Sequence, residues 1–178
     1  MLNIDLHCHS NVSDGLLPPA EVVARAATNG VHVLALTDHD DVGGLAEAAR
    51  AAALRGIVFI PGVEISVTWG GKTVHIVGLR IDPAHPALAA GLQTIRDGRV
   101  ERARRMGDDL ALSGIDGAYA GAYEYAANKQ MVGRTHFARW LVARGHVPDV
   151  RSAFRRYLTP GNPGYVEHEW TSLENAVG

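Results

Sequence analysis

Two histidines and an aspartate near the start of the chain have the spacing of metal-binding residues. In a β-strand, side chains two residues apart point to the same face, so Asp5, His7 and His9 would share one face and Cys8 would lie on the other. Burying three polar groups on one face costs free energy unless something pairs them. A metal ion satisfies two imidazoles at this spacing, and Asp5 could orient one of them by a hydrogen bond. The alternative is a pair of hydrogen-bonded histidines near a strand end.

More carboxylates and another histidine follow the next apolar runs. Asp14 lies in a loop after the first strand, Asp-His-Asp-Asp occupies positions 38–41 after a second strand, and Glu64 follows a third. The ends of successive parallel strands meet at one mouth of a barrel, where barrel enzymes place their chemistry. We therefore expect these side chains to converge. The alternatives are local ones, with Asp14 as a turn residue and Asp40 or Asp41 as a helix N-cap.

A hairpin links Glu64 to another histidine. If the two glycines at 70–71 form a two-residue turn, Ser66 faces His75 across the hairpin and Glu64 faces Val77. Glu64 is then diagonal to His75 on the same face, at a spacing of roughly 7–8 Å that two long side chains can bridge. The pair could hold one metal ion, with Glu64 bridging to a second. A solvent-exposed His75 is the alternative.

This mixture of imidazoles and carboxylates predicts metal-dependent hydrolysis. It suits Mn²⁺, Zn²⁺ or Fe²⁺ without choosing among them, and ligands on several separate segments indicate more than one ion. Clustered ions activate water as hydroxide and stabilise charge on a phosphoryl group during in-line attack. Nothing in the sequence supports a Ser or Cys nucleophile, because Cys8 lies on the strand face opposite the histidines.

The elements that position these residues alternate between strand and helix. Apolar runs at 2–9, 31–36 and 57–60 have the length of strands. Helical patterns separate them, one opened by two prolines at 18–19 and one Ala-rich at 44–55. This β-α-β-α-β order predicts an α/β fold with a parallel sheet or barrel. One long helix or two is expected at 87–113, and helices alone at 115–158.

Charge is unevenly distributed along the chain. Residues 94–160 hold 12 of the 17 Lys and Arg residues but only 7 of the 19 Asp and Glu residues. An acidic part beside a basic part suits a cation site with an anionic substrate, and the alternative is an ordinary Arg-rich helix surface. No run of about 18 apolar residues occurs, so no membrane span is expected. Cys8, the one cysteine, cannot form an internal disulfide, and a reducing cytoplasm is the expected compartment.

Four motifs in order over roughly residues 1–80 carry a family resemblance: Asp-Leu-His-Cys-His-Ser, Ser-Asp-Gly, Leu-Thr-Asp-His-Asp and Pro-Gly-Val-Glu-Ile-Ser. They resemble the polymerase-and-histidinol-phosphatase (PHP) family of metallophosphoesterases. Gly-Arg-Thr-His-Phe-Ala at 133–138 is similar to a helical insertion of the branch that contains nucleotide phosphoesterases. The resemblance implies the N-terminal part of a distorted (βα)₇ barrel at 1–98, a basic helical insertion or cap at 99–164, and a return to the barrel at 165–178.

The resemblance also implies a trinuclear centre, most often of manganese. By matching position, its ligands would be His7, His9 and Glu64 for one ion, Asp14 and His39 for a second, and Glu64 and His75 for the third. Asp5, Asp38 and Asp40 would orient these ligands without contacting the ions themselves. Arg134 and His136 would contact a substrate phosphate, with Arg99 as a weaker candidate. The alternative for Arg134 and His136 is a surface charge and a helix-packing histidine.

One departure from the family pattern concerns the later ligands. Family members carry a His before Pro-Gly and a late Asp-x-His pair, and the sequence to position 178 contains neither. We therefore expect a C-terminally truncated chain. The expected activity is hydrolysis of phosphate esters of nucleotides, such as 3′,5′-bisphosphonucleotides, or of 5′-phosphorylated oligonucleotides. The alternatives are a histidinol-phosphate phosphatase, a non-catalytic metal-binding PHP module, and a helical nucleic-acid-binding module beside a vestigial barrel.

Overall fold

The computed structural model describes residues 2–177 and has an α/β architecture whose first three strands are parallel. The strands are β1 (Ile4–Cys8), β2 (Val33–Leu36), β3 (Val58–Trp69), β4 (Lys72–Leu79) and β5 (Thr171–Ser172). The α-helices are α1 (Pro19–Thr28), α2 (Leu45–Ala53), α3 (Pro86–Leu112), α4 (Ala118–Tyr125), α5 (Arg134–Ala143), α6 (Val150–Ala153) and α7 (Leu173–Val177). The sheet order is β1-β2-β3-β4, and β5 pairs with β3. The predicted α/β class and β-α-β-α-β order are confirmed.

The chain divides into two units, Met1–Ile95 with Glu169–Gly178, and Arg96–His168. In the first unit, α1 and α2 pack together with the parallel strands around Leu34 and Leu36, which are fully buried on β2. Small residues on the Ala-rich α2 allow its backbone to lie close to the sheet, as the complete burial of Ala48 indicates. Among residues 2–177, no helix is both long and apolar enough to cross a bilayer.

The third strand continues past the point where the sequence pattern ends it. A strand at 57–60 and a separate hairpin strand at 64–69 were expected, yet β3 runs without a break through Pro61 and Gly62 to Trp69. The Pro-Gly pair marks a change of partner: Pro61 is the last residue paired with parallel β2, and Gly62 is the first paired with antiparallel β4. A Cβ on Gly62 would lie 2.9 Å from Thr37 Cγ2, so only glycine fits this close approach.

The apolar face of β1 differs from its expected packing. The alternation predicts that Ile4, Leu6 and Cys8 pack against helices, but Ile4 is 51% and Leu6 36% exposed. Cys8 alone of the three packs against the core beneath α1 and α2. The reason is the position of β1 at the edge of the sheet, where helices that cover β2 and β3 do not reach the start of the strand.

The second unit is helical. The pattern at 87–113 folds as the single helix α3, which begins in the first unit and continues into the second. The segment 115–158 is less uniform than predicted, because α4, a 3₁₀ turn at Lys129–Met131, α5 and α6 are separated by irregular residues. A π-helical turn follows at Phe154–Leu158. Phe137 and Leu141 of α5 are fully buried in the core of this unit. Gly121 lies directly against the indole of Trp140, where no side chain would fit.

Candidate metal centre

Glu64 lies at the centre of a cluster of four imidazoles. Its Oε2 is 2.8 Å from His7 Nε2 and 2.9 Å from His9 Nε2, and its Oε1 is 2.9 Å from His75 Nδ1. His39 Nδ1 lies 3.8 Å from Oε2. The Glu64 side chain is buried, and the four histidines around this carboxylate come from three separate segments of the chain.

Strand pairing explains how these segments meet. His7 lies on β1, His9 directly follows it, and His39 follows β2. Beyond the end of β2, Glu64 N–H donates to Asp38 O (3.1 Å) and Asp40 N–H donates to Glu64 O (2.9 Å), which sets His39 beside Glu64. These two bonds extend the parallel pairing past the regular strand and fix the two ligand candidates side by side.

The hairpin register is the predicted one. Ser66 pairs with His75 and Glu64 pairs with Val77. The two turn glycines have φ values of 57° and 72°, the left-handed region that a two-residue type I′ turn requires at both positions. The turn therefore fixes the register that brings His75 to Glu64.

Three groups of side chains could each hold an ion, with ligand atoms within 4.8 Å of one another in each group. The groups are His7, His9 and Glu64; His9, Asp14 and His39; and His39, Glu64 and His75. All six ligands expected from the sequence occur in at least one group. Neighbouring rings are close, with centroids 4.7 Å apart for His9 and His39 and for His39 and His75. Borderline nitrogen donors that converge on a carboxylate fit divalent cations such as Mn²⁺, Zn²⁺ or Fe²⁺.

Electrostatics keep the central carboxylate ionised. Burial alone would raise the pKa of Glu64, but hydrogen bonds with His75 and His9 and the nearby charge of His39 hold that pKa well below its usual range. For His9, burial lowers the pKa, and the hydrogen bond with Glu64 and the charge of Asp14 outweigh burial, so the net pKa is raised. The cluster therefore stabilises the anionic form of Glu64 that a metal ligand requires.

Asp14 is placed by a tight loop after β1. Its Oδ1 lies 3.7 Å from His9 Nδ1. The loop closes through Gly15, whose N–H donates to Ser10 O at 2.8 Å. A Cβ on Gly15 would lie 2.6 Å from His9 O, so the glycine permits the close approach that brings Asp14 to the histidines. Asp14 is thus a turn residue and a candidate ligand at once.

Asp5 does not orient an imidazole. Within the described chain, its carboxylate accepts a hydrogen bond from the backbone N–H of His7, with Oδ1 3.2 Å from that nitrogen. The prediction of a carboxylate–imidazole contact at this position is wrong, because the Asp5 side chain folds along its own strand. Asp5 therefore holds the backbone at His7 and does not orient the His7 ring.

Asp38 is a buried carboxylate that accepts three hydrogen bonds. Ser10 N–H (2.7 Å) and Ser13 O–H (2.6 Å) donate to Oδ1, and Ser10 O–H (2.6 Å) donates to Oδ2. Burial raises the pKa of Asp38, and the serine hydrogen bonds oppose that rise. Asp38 therefore ties the end of β2 to the loop that carries Asp14.

Asp40 makes the matching link to β3. Its Oδ1 accepts from Ser66 N–H at 2.6 Å and its Oδ2 from Ser66 O–H at 2.8 Å. Neither Asp40 nor Asp41 caps α2, whose N-cap is Gly44; Asp41 instead accepts from Gly43 N–H in a turn. Asp40 and Asp38 thus flank His39 and join it to the elements on both sides.

Sequence reasoning missed the serines in these links. Ser10, Ser13 and Ser66 are fully buried, although serine is usually a surface residue. The available signal was their adjacency to ligand candidates: Ser10 follows His9, Ser13 precedes Asp14, and Ser66 lies two residues after Glu64 on the same strand face.

The second unit contains a separate cluster of cations. Arg99 and Arg102 lie on α3 and Arg134 is the first residue of α5. Burial, together with repulsion from Arg134 and Arg99, lowers the pKa of Arg102 to about 10. Burial also lowers the pKa of His168, with added repulsion from Arg102 and Arg99. Arg102 and His168 were not predicted from the sequence, although Arg99 and Arg102 are three residues apart and hence on one helix face.

His136 occupies a different setting from the arginines. It is 1% exposed, and its Nδ1 accepts a hydrogen bond from Gly133 N–H at 3.1 Å. Gly133 is the residue before α5, so this contact satisfies one of the free N–H groups at the helix start.

Comparisons with known proteins identify a family. The model of the PHP domain matches residues 5–158. The 3′,5′-nucleoside bisphosphate phosphatase of Chromobacterium violaceum is 64% identical over 178 residues, covering 100% of this chain and 62% of the relative. A 5′-3′ exoribonuclease of Haemophilus influenzae is 47% identical over 173 residues, covering 97% of this chain and 62% of the relative.

Solved structures give the same picture. An amidohydrolase from Chromobacterium violaceum, solved with sulfate and no metal, superposes with a TM-score of 0.96 at 63% identity, covering 98% of this chain and 62% of that one. A Bifidobacterium adolescentis protein assigned as a metal-dependent phosphoesterase superposes with a TM-score of 0.90 at 26% identity, with the same coverage of 98% and 62%. The chain thus spans about three fifths of the length of the relatives it matches.

Proposed function

Because this chain belongs to the PHP domain family, we propose that the protein is a metal-dependent phosphoesterase acting on nucleotides. Its substrates are 3′,5′-bisphosphonucleotides or 5′-phosphorylated oligonucleotides, as the names of two relatives suggest. The observation that carries the proposal is the position of Glu64, whose two carboxylate oxygens lie within 2.9 Å of nitrogens of His7, His9 and His75. Imidazole nitrogens that converge on one ionised carboxylate form a donor set that suits divalent cations.

The proposed centre holds up to three divalent ions, with manganese preferred over zinc or iron. The three overlapping side-chain groups, two of which contain Glu64, would supply the ligands of these ions. When bound, such ions supply a polarised water and stabilise charge on the phosphoryl group. Glu64 contributes to two of the groups, so its carboxylate would join two ions and keep their positions fixed relative to one another.

The cation cluster of the second unit is the proposed phosphate contact. Arg99 and Arg134 are the candidates named from the sequence. Arg102 and His168 lie near these arginines, because positive charge from the arginines lowers the pKa values of both. A guanidinium presents two parallel donors that match a phosphate. His136 is the weaker candidate, because it is buried and its Nδ1 already accepts the Gly133 N–H.

The wider architecture and compartment are proposed with the function. A distorted (βα)₇ barrel with a helical insertion at 99–164 agrees with the parallel β1-β2-β3 order and with the helical content of the second unit. A reducing cytoplasm suits Cys8, whose thiol donates to Ala35 O and whose pKa burial raises to about 12. A thiol with so high a pKa is a poor nucleophile.

A substrate panel tests the proposal. The purified protein, loaded in turn with Mn²⁺, Zn²⁺ and Fe²⁺, is assayed for phosphate release from a 3′,5′-bisphosphonucleotide, a 5′-phosphorylated oligonucleotide and histidinol phosphate. We expect turnover of a nucleotide substrate that chelation removes and metal restores. Preference for histidinol phosphate would favour that alternative substrate, and bound metal without any turnover would favour a non-catalytic module.

A further inference from the structure

The hydroxyl of Ser13 lies between a buried carboxylate and a candidate metal ligand. Ser13 Oγ is 2.6 Å from Asp38 Oδ1 on one side and 3.5 Å from His9 Nδ1 on the other. Ser13 is fully buried and Asp38 is 2% exposed. The opposite nitrogen of the same ring, His9 Nε2, is 2.9 Å from Glu64 Oε2. The His9 ring therefore has one nitrogen at the candidate metal centre and the other at a serine.

The short bond to Asp38 fixes the direction in which Ser13 donates. An ionised carboxylate only accepts hydrogen bonds, so the single hydroxyl proton of Ser13 points to Asp38. Toward His9, Ser13 presents a lone pair. Asp14 Oδ1, 3.7 Å from the same His9 nitrogen, is likewise an acceptor. Both neighbours of His9 Nδ1 therefore favour the tautomer with the proton on that nitrogen.

The proton on Nδ1 decides what Nε2 can do. A neutral imidazole carries one proton, so protonation of Nδ1 leaves a lone pair on Nε2, which faces Glu64. Histidines that bind metals characteristically donate their second ring N–H to a neighbouring acceptor, which fixes the tautomer and the ring orientation. The 3.5 Å separation is at the long end for a hydrogen bond, and a small rotation of the His9 ring would shorten it.

We propose that Asp38 acts through Ser13 as a positioning pair that holds His9 in the Nδ1–H tautomer and so presents Nε2 to the metal. The inference rests on the proposed metal centre and deepens it. In this role Asp38 fixes the orientation of the Ser13 hydroxyl, and Ser13 in turn fixes the tautomer of the His9 imidazole. Neither residue touches substrate or metal in this role.

Ser10 provides a matched control. It is as buried as Ser13 and donates a bond of equal length, 2.6 Å, to the other oxygen of Asp38, but its hydroxyl makes its remaining hydrogen bond with Val12 N–H. Ser10→Ala and Ser13→Ala each remove one hydroxyl bond from Asp38, so both should lower the Tm of the metal-free protein to a similar degree. Only Ser13→Ala removes the contact with His9.

Metal affinity separates a positioning role from a structural one. The Kd for Zn²⁺ and Mn²⁺ is measured by competition with a chromogenic chelator for the wild type, Ser13→Ala, Ser13→Thr and Ser10→Ala. We expect Ser13→Ala to weaken binding by roughly 10- to 100-fold, Ser13→Thr to restore it by returning the hydroxyl, and Ser10→Ala to stay near the wild-type value. Equal Kd values for Ser13→Ala and Ser10→Ala would overturn the inference.

A second measurement needs no variant. In the Zn²⁺-loaded wild type, two-bond ¹H–¹⁵N correlations of the imidazoles should show His9 protonated at Nδ1 and metal-bound at Nε2, and the reverse assignment would also overturn the inference. A wild type that binds no divalent metal would refute the proposed centre and this inference together. Metal binding with the expected Ser13 effect but no turnover would refute only the proposed activity.

Discussion

Glu64 Oε1 lies 2.9 Å from His75 Nδ1 although the two residues are diagonal and not opposite in the β3–β4 hairpin. Directly across from Glu64 is Val77, and directly across from His75 is Ser66. Because Oε1 makes this diagonal contact, Oε2 faces His7 on β1, whose Nε2 lies 2.8 Å away. One carboxylate thereby connects β4 to β1 across the sheet, which makes Glu64 the residue whose loss affects the most ligand candidates.

Replacing Glu64 by Gln should remove metal binding and activity together. The amide keeps the size of the side chain but loses the charge that offsets a cation. We expect the bound metal per chain to fall and kcat/KM to drop by at least about 100-fold, equivalent to roughly 2.7 kcal/mol. Metal content is measured by elemental analysis and kcat/KM with the best nucleotide substrate. Glu101→Gln, at a site 66% exposed on α3, is the control and should match the wild type.

His9→Ala should abolish turnover while leaving the fold in place. His9 occurs in two of the three candidate metal groups and belongs to none of the hydrophobic core clusters, so its removal takes away a ligand and little packing. We expect kcat to fall by at least about 100-fold, with circular dichroism unchanged. His85→Ala, at an exposed position after β4, is the control. Unchanged kcat in His9→Ala would refute the ligand assignment.

The parts of this arrangement that the sequence predicts are those set by short-range rules. Two adjacent glycines with positive φ fix the hairpin, so the pairing of Ser66 with His75 follows from counting. Alternation places His7 and His9 on one face of β1. In both cases the backbone period alone decides which side chains meet.

The parts that the sequence does not predict depend on partners distant along the chain. A Pro-Gly pair usually ends a strand, and only the change from β2 to β4 at Pro61 and Gly62 explains why β3 continues. Exposure of Ile4 depends on which strand occupies the sheet edge. The Asp38–Ser13 and Asp40–Ser66 hydrogen bonds join segments more than 20 residues apart. The local alternation of polar and apolar residues therefore does not predict them.

Ser66→Ala should destabilise the metal-free protein. Both oxygens of the buried Asp40 carboxylate accept from Ser66, one from its N–H and one from its hydroxyl. Removing the hydroxyl leaves Oδ2 without that bond in a dry environment, which costs about 1–3 kcal/mol. Asp40 also has a φ of 47°, so the surrounding contacts must hold a backbone conformation that non-glycine residues disfavour.

Urea unfolding measures this effect. We expect Ser66→Ala to lower the free energy of unfolding by about 2 kcal/mol. Ser113→Ala removes a hydroxyl that bonds to Asp109 O on an exposed helix end and should change stability by less than about 0.5 kcal/mol. Similar small losses in both variants would show that the Asp40 carboxylate finds another donor when Ser66 is truncated.

Arg134→Gln should weaken substrate binding more than it slows turnover. The substitution removes one charge from the cluster that contains Arg99 and Arg102. Losing one charge-assisted contact to phosphate costs about 1.4–3 kcal/mol, so KM for a bisphosphonucleotide should rise at least tenfold. Arg104→Gln removes a cation that is 61% exposed and paired with Glu101, and it should leave KM unchanged. Equal KM values for the two variants would place the phosphate site elsewhere.

Anion binding at the same cluster should raise the pKa of His168. Burial lowers that pKa first, and repulsion from Arg102, Arg99 and Arg105 lowers it further. In the free protein His168 is therefore neutral at pH 7, and it gains a proton only at pH values below the usual 6.5. A dianion bound to the arginines cancels part of the repulsion, so the His168 pKa moves upward and protons are taken up on binding. By linkage, the affinity of the cluster for a dianion must rise as the pH falls through the values at which His168 gains its proton.

NMR titration of the His168 ring proton, with and without sulfate at constant ionic strength, measures the shift directly. Sulfate is the suitable probe because its charge stays constant where phosphate itself titrates. The ring signal of the exposed His85 reports any general salt effect. The wild type should show an upward pKa shift of His168 with sulfate, and Arg134→Gln should show a smaller one because less charge is available to hold the anion. A His168 titration that does not respond to sulfate would separate His168 from the phosphate site and leave burial as the main cause of its lowered pKa.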